Sequence, residues 1–508
     1  MRTFYRTFTR LTAAALIMAM SAAPGLAAKT TPATDKNTNV PAVPRAIPDL
    51  VPYGQFDPPK GAFDLSKLTI SGDMRVRPEF RTNGGFGVNQ AMTARANDDA
   101  FFTQQLIRLG FNYDLSPDVV FFLQPQVSSN WGTIDPDTGS GAINPNGTGS
   151  DLFLRQGFML IRNFLVPNLT LKAGRQLVVW GNHRIFGHFD WNNVGFAFDG
   201  VTMRYQMTPD IPLELGWLRV AEQNCNDSAG ACANGRAHLG DGDILFARLP
   251  MKFGAVAFEP AYIYEDGGAS GTNIGGGGGT NAPGGQPGNQ QRHTVGARIA
   301  GKAGIVDATG EGYWQFGEMG AVGGPSNERI NALAVHVDGG VTLPVPMQPR
   351  IGAEFNYATG SSDCNAANGA AGTGCGHTFS QLVPTNHIHF GYMDLMSWQN
   401  MLTYGGNLQL RPTADSHFEI AGHIMRLANK NDQWYGANQA VFKTTPAGNN
   451  EKSLGGEIDV VYTLFFQNNK VGWQLGYGHF FDGDYVKKGS GGQSSDQNWG
   501  YTQLWINF

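Results

Sequence analysis

From Leu68 to Phe508 the chain divides into eighteen short segments in which apolar and polar residues alternate, joined by links that are by turns short and long. Alternation with a period of two marks a strand whose two faces meet different surroundings. In the first segment Leu68, Ile70, Met74 and Val76 share one face, and Asp73, Arg75, Arg77 and Glu79 share the other. The remaining segments fall near 101–113, 118–129, 150–163, 169–180, 197–208, 212–221, 241–251, 255–264, 292–302, 306–319, 330–343, 349–359, 398–411, 415–427, 453–466, 471–481 and 499–508. Short links lie at 114–118, 164–168, 209–211, 303–305, 343–348, 412–414 and 467–470. Long polar or Gly-rich links lie at 81–100, 130–149, 181–196, 222–240, 265–291, 360–397, 428–452 and 482–498, with a shorter one near 320–329.

Segments of about ten residues with tight turns on one rim and long loops on the other are the pattern of an outer-membrane barrel. A soluble sandwich or propeller has no reason to hold this phase through so many strands. No apolar run after the N-terminus reaches the length of about 18 residues that marks a spanning helix, so a membrane form must be a closed sheet. Charged residues are 15% of the chain, below the roughly 25% of soluble proteins, while Gly (69 residues) and aromatics (11%) are abundant. The expected fold is all-β: a transmembrane antiparallel up-and-down barrel of about 18 strands, with sixteen to twenty acceptable.

Residues 1–28 read as a secretory signal: Arg2, Arg6 and Arg10, an apolar stretch from Leu11 to Met20, and small residues from Ala22 to Ala28. Its removal takes the net charge from −5 to −8, which gives no support for nucleic-acid binding. Residues 29–66 are Pro-rich and are expected to be a periplasmic segment without its own core, open to a periplasmic partner or to folding back as a plug. The barrel then occupies 67–508, set in outer-membrane lipid. The chain ends on an amphipathic strand with Leu504, Ile506 and Phe508 on one face, like the insertion signal of outer-membrane proteins.

Cys225 with Cys232 and Cys364 with Cys375 form two close pairs, each inside one long link, and an oxidising compartment makes two local disulfides the simple reading. No CxxC or CxxCH occurs, and neither His377 nor the His387, His389 and Asp394 group makes a convincing metal site. The Gly run at 275–279 lacks the Lys-Ser/Thr ending of a phosphate loop. No catalytic group, metal or cofactor is expected.

The stretch from Gly174 to Gly200 is the densest in chemistry. It starts and ends as alternating strand, and its middle is crowded with His, Arg, Asn, Asp and aromatic residues. It reads as a link on the long-loop rim folded into the pore mouth, with Arg184 and His188 meeting solute and Trp191 packing against the wall. Arg175 shares the outward parity of Leu169 and Leu171, so it is turned inward by a bulge or sits at headgroup level.

This stretch carries Gly174-Arg175-Gln176, Trp180-Gly181-Asn182-His183-Arg184, Asp190-Trp191-Asn192-Asn193 and Phe198-Asp199-Gly200. A second link carries Leu382-Val383-Pro384-Thr385-Asn386-His387, Gly391-Tyr392-Met393-Asp394 and Trp398-Gln399-Asn400, and Phe480-Phe481-Asp482-Gly483 follows near the end. Together these resemble the alginate export family of outer-membrane porins over roughly residues 68 to 508. The resemblance implies an eighteen-stranded channel whose basic lumen passes an anionic uronate polymer outward. Family members often carry an acidic residue where this chain has Asn182 and His183.

Alternation places Arg75, Arg77, Arg108, Arg155, Arg204, Arg298, Lys302, Arg350 and Arg411 on the lumen side, with a similar number of carboxylates among them. Arg75, Arg77, Arg108, Arg155 and Arg204 all come from the first six strands, so neighbouring strands would make one wall positive. The expected function is an outer-membrane channel for a hydrophilic, anionic solute. A general small-solute porin of the same fold, an outer-membrane hydrolase and a structural or adhesive barrel are the alternatives, and bilayer conductance separates them.

Overall fold

A computed structural model describes residues 64–131, 152–221, 242–267, 290–320, 327–362, 376–446 and 448–508. The expected signal, the Pro-rich segment up to Phe63, the Gly run and all four cysteines lie outside the described residues.

Eighteen staves form the sheet: β1 (Leu68–Thr82), β2 (Ala100–Ser116), β3 (Val119–Asn130), β4 (Leu152–Ile161), β5 (Leu169–Gln176), β6 (Phe198–Thr208), β7 (Ile211–Ala221), β8 (Gly242–Arg248 and Met251–Phe253), β9 (Val256–Gly267), β10 (Gln290–Ala303), β11 (Val306–Gly320), β12 (Asn327–Thr342), β13 (Arg350–Ala358), β14 (Met401–Leu410), β15 (Ser416–Leu427), β16 (Ser453–Phe466), β17 (Val471–Asp482) and β18 (Gln497–Asn507). Each pairs antiparallel with the next, and β18 returns to β1 with Ile506 opposite Met74 and Leu504 opposite Val76. The sheet is therefore closed, which leaves no unpaired edge. β8 breaks at Leu249-Pro250, where Pro has no donor for the ladder, yet β9 runs beside both pieces. Among the described residues no helix is long and apolar enough to cross a membrane.

Alternation sorts the two faces. Ile70, Phe121, Met159, Ile299, Val337, Ile351, Ile424, Leu475 and Leu504 are exposed outside, where lipid replaces water, while Arg77, Gln104, Gln126, Gln176, Arg292, Gln315 and Glu457 are buried inside. Short turns take up left-handed backbone: in the turn before β17, Asn468 and Asn469, which tolerate it, have φ of 57° and 64°, beside Gln467 at 55°.

The described long links fold inward. Phe86 and Met92 after β1, Trp180 and Phe186 after β5, Phe379, Phe390, Met393 and Trp398 after β13, Trp434 after β15 and Tyr485 after β17 are all buried in one apolar cluster. These side chains have no lipid to enter, so burial against one another is how they leave water. The link after β15 adds a hairpin, Trp434–Tyr435 with Val441–Lys443, and that after β17 a short helix, α1 (Asp484–Gly489). β5 stops at Gln176, shorter than the expected 169–180, because the chain leaves the wall there and enters the lumen.

Candidate functional site

Two links meet inside the barrel: loop A, residues 177–197, and loop B, the described residues 359–362 and 376–400 of the link between β13 and β14. They pair directly through a parallel bridge between Phe186 and Val383. Gly187 N donates to Val383 O at 2.7 Å, Val383 N to Ile185 O at 3.0 Å and Thr385 N to His183 O at 2.9 Å. Gln381 Nε2 donates to Arg184 O at 3.1 Å, and His389 Nε2 lies 2.7 Å from Asn182 O. Loop A's tip can approach loop B this closely because residue 187 is glycine: a Cβ there would lie 2.2 Å from Thr385 Oγ1.

Four arginines of the wall converge on residues 188–193 of loop A. Arg75 donates to Asp190 O at 2.7 Å, Trp191 O at 3.1 Å and Asn193 Oδ1 at 2.9 Å. Arg77 donates to Trp191 O at 2.9 Å and pairs with Glu79 at 3.2 Å. Arg108 bridges Asp73 at 2.9 Å and Asp190 at 3.1 Å. Arg155 reaches Asp190 at 2.8 Å and His188 O at 3.0 Å. Arg155 faces inward through a register shift opposite Gln124 and Pro125, which makes it the extra residue of β4. Gln126 Nε2 and Ser128 Oγ also donate to Asn193 O, and Asn192 Oδ1 caps Val194 N at 2.8 Å.

Electrostatics follow from this packing. Burial raises the Asp190 carboxyl, but Arg108 and Arg155 outweigh it and hold the group below the usual carboxylate range. Burial lowers His188, Asp190 opposes it, and Arg155 and Arg108 push it further down. His183 is lowered by burial and by His188, whose ring centroid lies 4.7 Å away. Burial holds His389 well below its ordinary value.

A chain of charges runs along the rest of the inner wall. Arg204 and Arg248 each bond Glu214 at 3.2 Å, Arg248 bonds Glu259 at 2.7 Å, and Arg298 bonds Glu259 at 3.1 Å. Across β11 to β14, Glu311, His336, Asn356 and Thr403 stand in direct register. His336 Nδ1 lies 2.6 Å from Asn356 Oδ1, and Asn356 Nδ2 donates to Thr403 Oγ1 at 3.0 Å. Arg350 stands apart, bonded to Asp307 at 2.6 Å.

The placement of the expected residues corrects the sequence reading at Arg184 and leaves Arg175 with the outward parity of its strand. Arg184 does not meet solute: its side chain is 3% exposed, 3.4 Å from Glu311 and 3.0 Å from His336. Loop A turns in at Trp180 and carries Arg184 into the space behind loop B, where Glu311 and Glu354 require a counter-charge. Arg175 remains on the outer face, paired with Asp199 at 2.6 Å, so two residues of the Gly174–Gly200 stretch brace β5 to β6. Gly174, with φ of 122°, lets Gly157 O approach: a Cβ would lie 2.4 Å from it. Pro384 and His387 are buried in loop B, and His387 Nδ1 lies 3.0 Å from Asp394. His188 is part-exposed beside Asp190.

Sequence reading passed over His336, His423, Gln126 and Lys172. Alternation marks all four as inward, since each shares parity with an inward neighbour. His423 lies 3.3 Å from Glu354 and so completes the charge chain toward β15.

The barrel, its inward loops and its charged wall can be set beside known proteins. Comparison with curated proteins finds no match. Solved structures share the fold at low identity. Acinetobacter baumannii OccAB3 is 8% identical over 86% of this chain and 99% of its own, with a TM-score of 0.53. Pseudomonas aeruginosa OccK8 (OprE) is 10% identical over 87% and 98%, with a TM-score of 0.52. Pseudomonas aeruginosa OccK2 (OpdF), solved in complex with glucuronate, is 10% identical over 87% and 96%, with a TM-score of 0.51. The family model described as alginate export matches residues 149–500, which takes in loop A, loop B and most of the barrel. The chain thus belongs to the alginate export family, as an outer-membrane β-barrel channel.

Proposed function

We propose that this channel passes a hydrophilic anionic solute passively, and that residues 188–193 of loop A with Arg75 and Arg108 form its selective constriction, held in place by the buried Arg77 and Arg155. The observation that carries the reading is the convergence of those four arginines on one short segment, with Asp73, Glu79 and Asp190 as the carboxylates among them. One wall of the lumen therefore holds more positive than negative charge, the arrangement that favours anions at close quarters. Membership of the alginate export family and the glucuronate in the OccK2 structure support a uronate as the solute. Residues 1–28 would act as the export signal and 29–66 as a periplasmic tail.

The ion pairs along β6 to β13 favour a second reading, a small-solute porin without strong charge preference, because nearly every lumen arginine there already has a carboxylate. Reversal potential under a salt gradient, with and without oligo-uronate, decides between them. Anion preference and block by the oligomer are expected, with Arg75→Ala and Arg108→Ala moving the preference toward cations. Cation preference in the unaltered protein would falsify the anionic reading and leave the channel.

A further inference from the structure

We infer that Lys172 is a docking position for the carboxylate of a hexuronate unit, on the short-turn side of the constriction. The inference rests on the anionic reading above and adds to it a residue and a side of entry. Lys172 lies on the inner face of β5 and is half-buried. It lines a cleft of about 370 Å³ with Thr170, Arg204, Glu214 and Arg248, and small-ligand sites run from roughly 300 to 1,000 Å³. The cleft lies between the first residues of loop A, Leu177 to Trp180, and the inner faces of β5 to β8, and extends toward the tight turns that precede β5 and separate β6 from β7.

The charges in this cleft do not balance. Its carboxylate, Glu214, already accepts from Arg204 and Arg248, each at 3.2 Å. Lys172 has neither a carboxylate within ion-pair reach nor an oxygen acceptor among the described residues. Other lysines that leave water here are satisfied: Lys443 Nζ donates to Val88 O at 2.8 Å and Asn89 O at 3.1 Å, and Lys452 Nζ to Ala428 O at 2.6 Å. Instead the Lys172 ammonium stands 4.1 Å from the centroid of the Phe158 ring, and Phe158 packs on Phe122 at 5.1 Å. Those rings fix the position of the ammonium and leave its N–H donors unused. A half-buried cation held in place beside an open cleft, with no protein acceptor among the described residues, presents its donors to an anion, and a carboxylate takes them with charge-assisted hydrogen bonds.

The arrangement points to a sugar acid more than to a bare ion. Thr170 offers a hydroxyl close by, and Leu160, which also lines the cleft, gives apolar contact. A hexuronate brings hydroxyls and C–H faces together with its carboxylate, so it uses the whole cleft, whereas acetate uses Lys172 alone.

The test uses the full-length protein in two assays. Calorimetry in detergent with glucuronate as the probe is expected to show binding that falls at least tenfold in Lys172→Met and is largely kept in Lys172→Arg, with circular dichroism checking that both variants keep the barrel. In planar bilayers, glucuronate added on the short-turn side is expected to block more strongly than on the long-loop side, and Lys172→Met is expected to remove that asymmetry. Equal binding by Lys172→Met and the unaltered protein overturns the inference, as does equal competition by acetate and glucuronate. An unaltered protein that conducts no ions overturns the channel reading instead, while calorimetry still reports on Lys172.

Discussion

The guanidinium of Arg77 lies 3.6 Å from the ring centroid of Trp191, and the same indole stacks on His387 at 3.7 Å with 9° between planes. Wall, loop A and loop B are thus joined in one three-layer stack, closed at its far end by Asp394 on His387. Trp499 and Tyr501 of β18 meet the indole edge-on. A desolvated cation–π contact contributes about 2 kcal/mol, and truncating a fully buried aromatic costs about 3–5 kcal/mol, so the partly buried Trp191 falls toward or below the lower end of that range. Trp191→Ala should therefore free loop A from the wall. The expected result is a larger and noisier single-channel current together with a lower melting temperature. A quiet, unchanged conductance would show that the stack does not hold the constriction.

Acid should loosen the same loop through Asp190. Its carboxyl is held below the ordinary value by Arg108 and Arg155, so the folded state binds fewer protons than the unfolded one near pH 4. The stabilisation is complete above about pH 4, the unfolded range, and is lost as pH falls through the lower folded value. Single-channel recordings should then show growing current fluctuation below about pH 4. Asp190→Asn should show that behaviour at neutral pH and little further change on acidification.

The wall was legible in the sequence because a period of two needs no partner to be seen: Leu68, Ile70, Met74 and Val76 identify β1 whatever lies next to it. Closure, and the pairing of β18 with β1, followed from the absence of any other way to satisfy strands in lipid. The interior was less legible. Arg184 looked solvent-facing because its counter-charges, Glu311 and Glu354, are more than a hundred residues away and reach it only once loop A folds in. Arg155 was expected inward by simple alternation, but it gets there as a bulged residue beside an inward Gln156. Loop motifs advertised themselves by composition, yet nothing local told that Trp191 would stack on His387.

The contact between loops depends on glycine at 187. An added Cβ would lie 2.2 Å from Thr385 Oγ1 and 2.7 Å from Thr385 N. Backbone cannot yield as a flexible side chain does, so Gly187→Ala should break the bonds from Thr385 N to His183 O and from Gly187 N to Val383 O. Overpacking of this kind costs about 1–3 kcal/mol. Limited proteolysis of the barrel in detergent should then cut loop A or loop B faster than in the unaltered protein, with the strands protected. Equal cutting rates would mean that the loops find another way to pair.

Arg184 offers the sharpest test of how loop A is anchored. Its guanidinium is buried with Glu311 at 3.4 Å and His336 at 3.0 Å, and Glu354 lies at 4.0 Å. Burial pushes its pKa down, and Glu311 and Glu354 oppose that. Removing one partner of a buried pair strands the other charge, at about 3–5 kcal/mol, whereas replacing both with neutral groups is often nearly neutral. Arg184→Met should thus be strongly destabilising, and Glu311→Gln added to it should recover much of the loss. A double-mutant cycle read by denaturant unfolding in detergent measures this coupling. If the two substitutions simply add, Arg184 is not compensating Glu311, and loop A is held by its arginine cradle at 188–193 and its bridge to loop B alone.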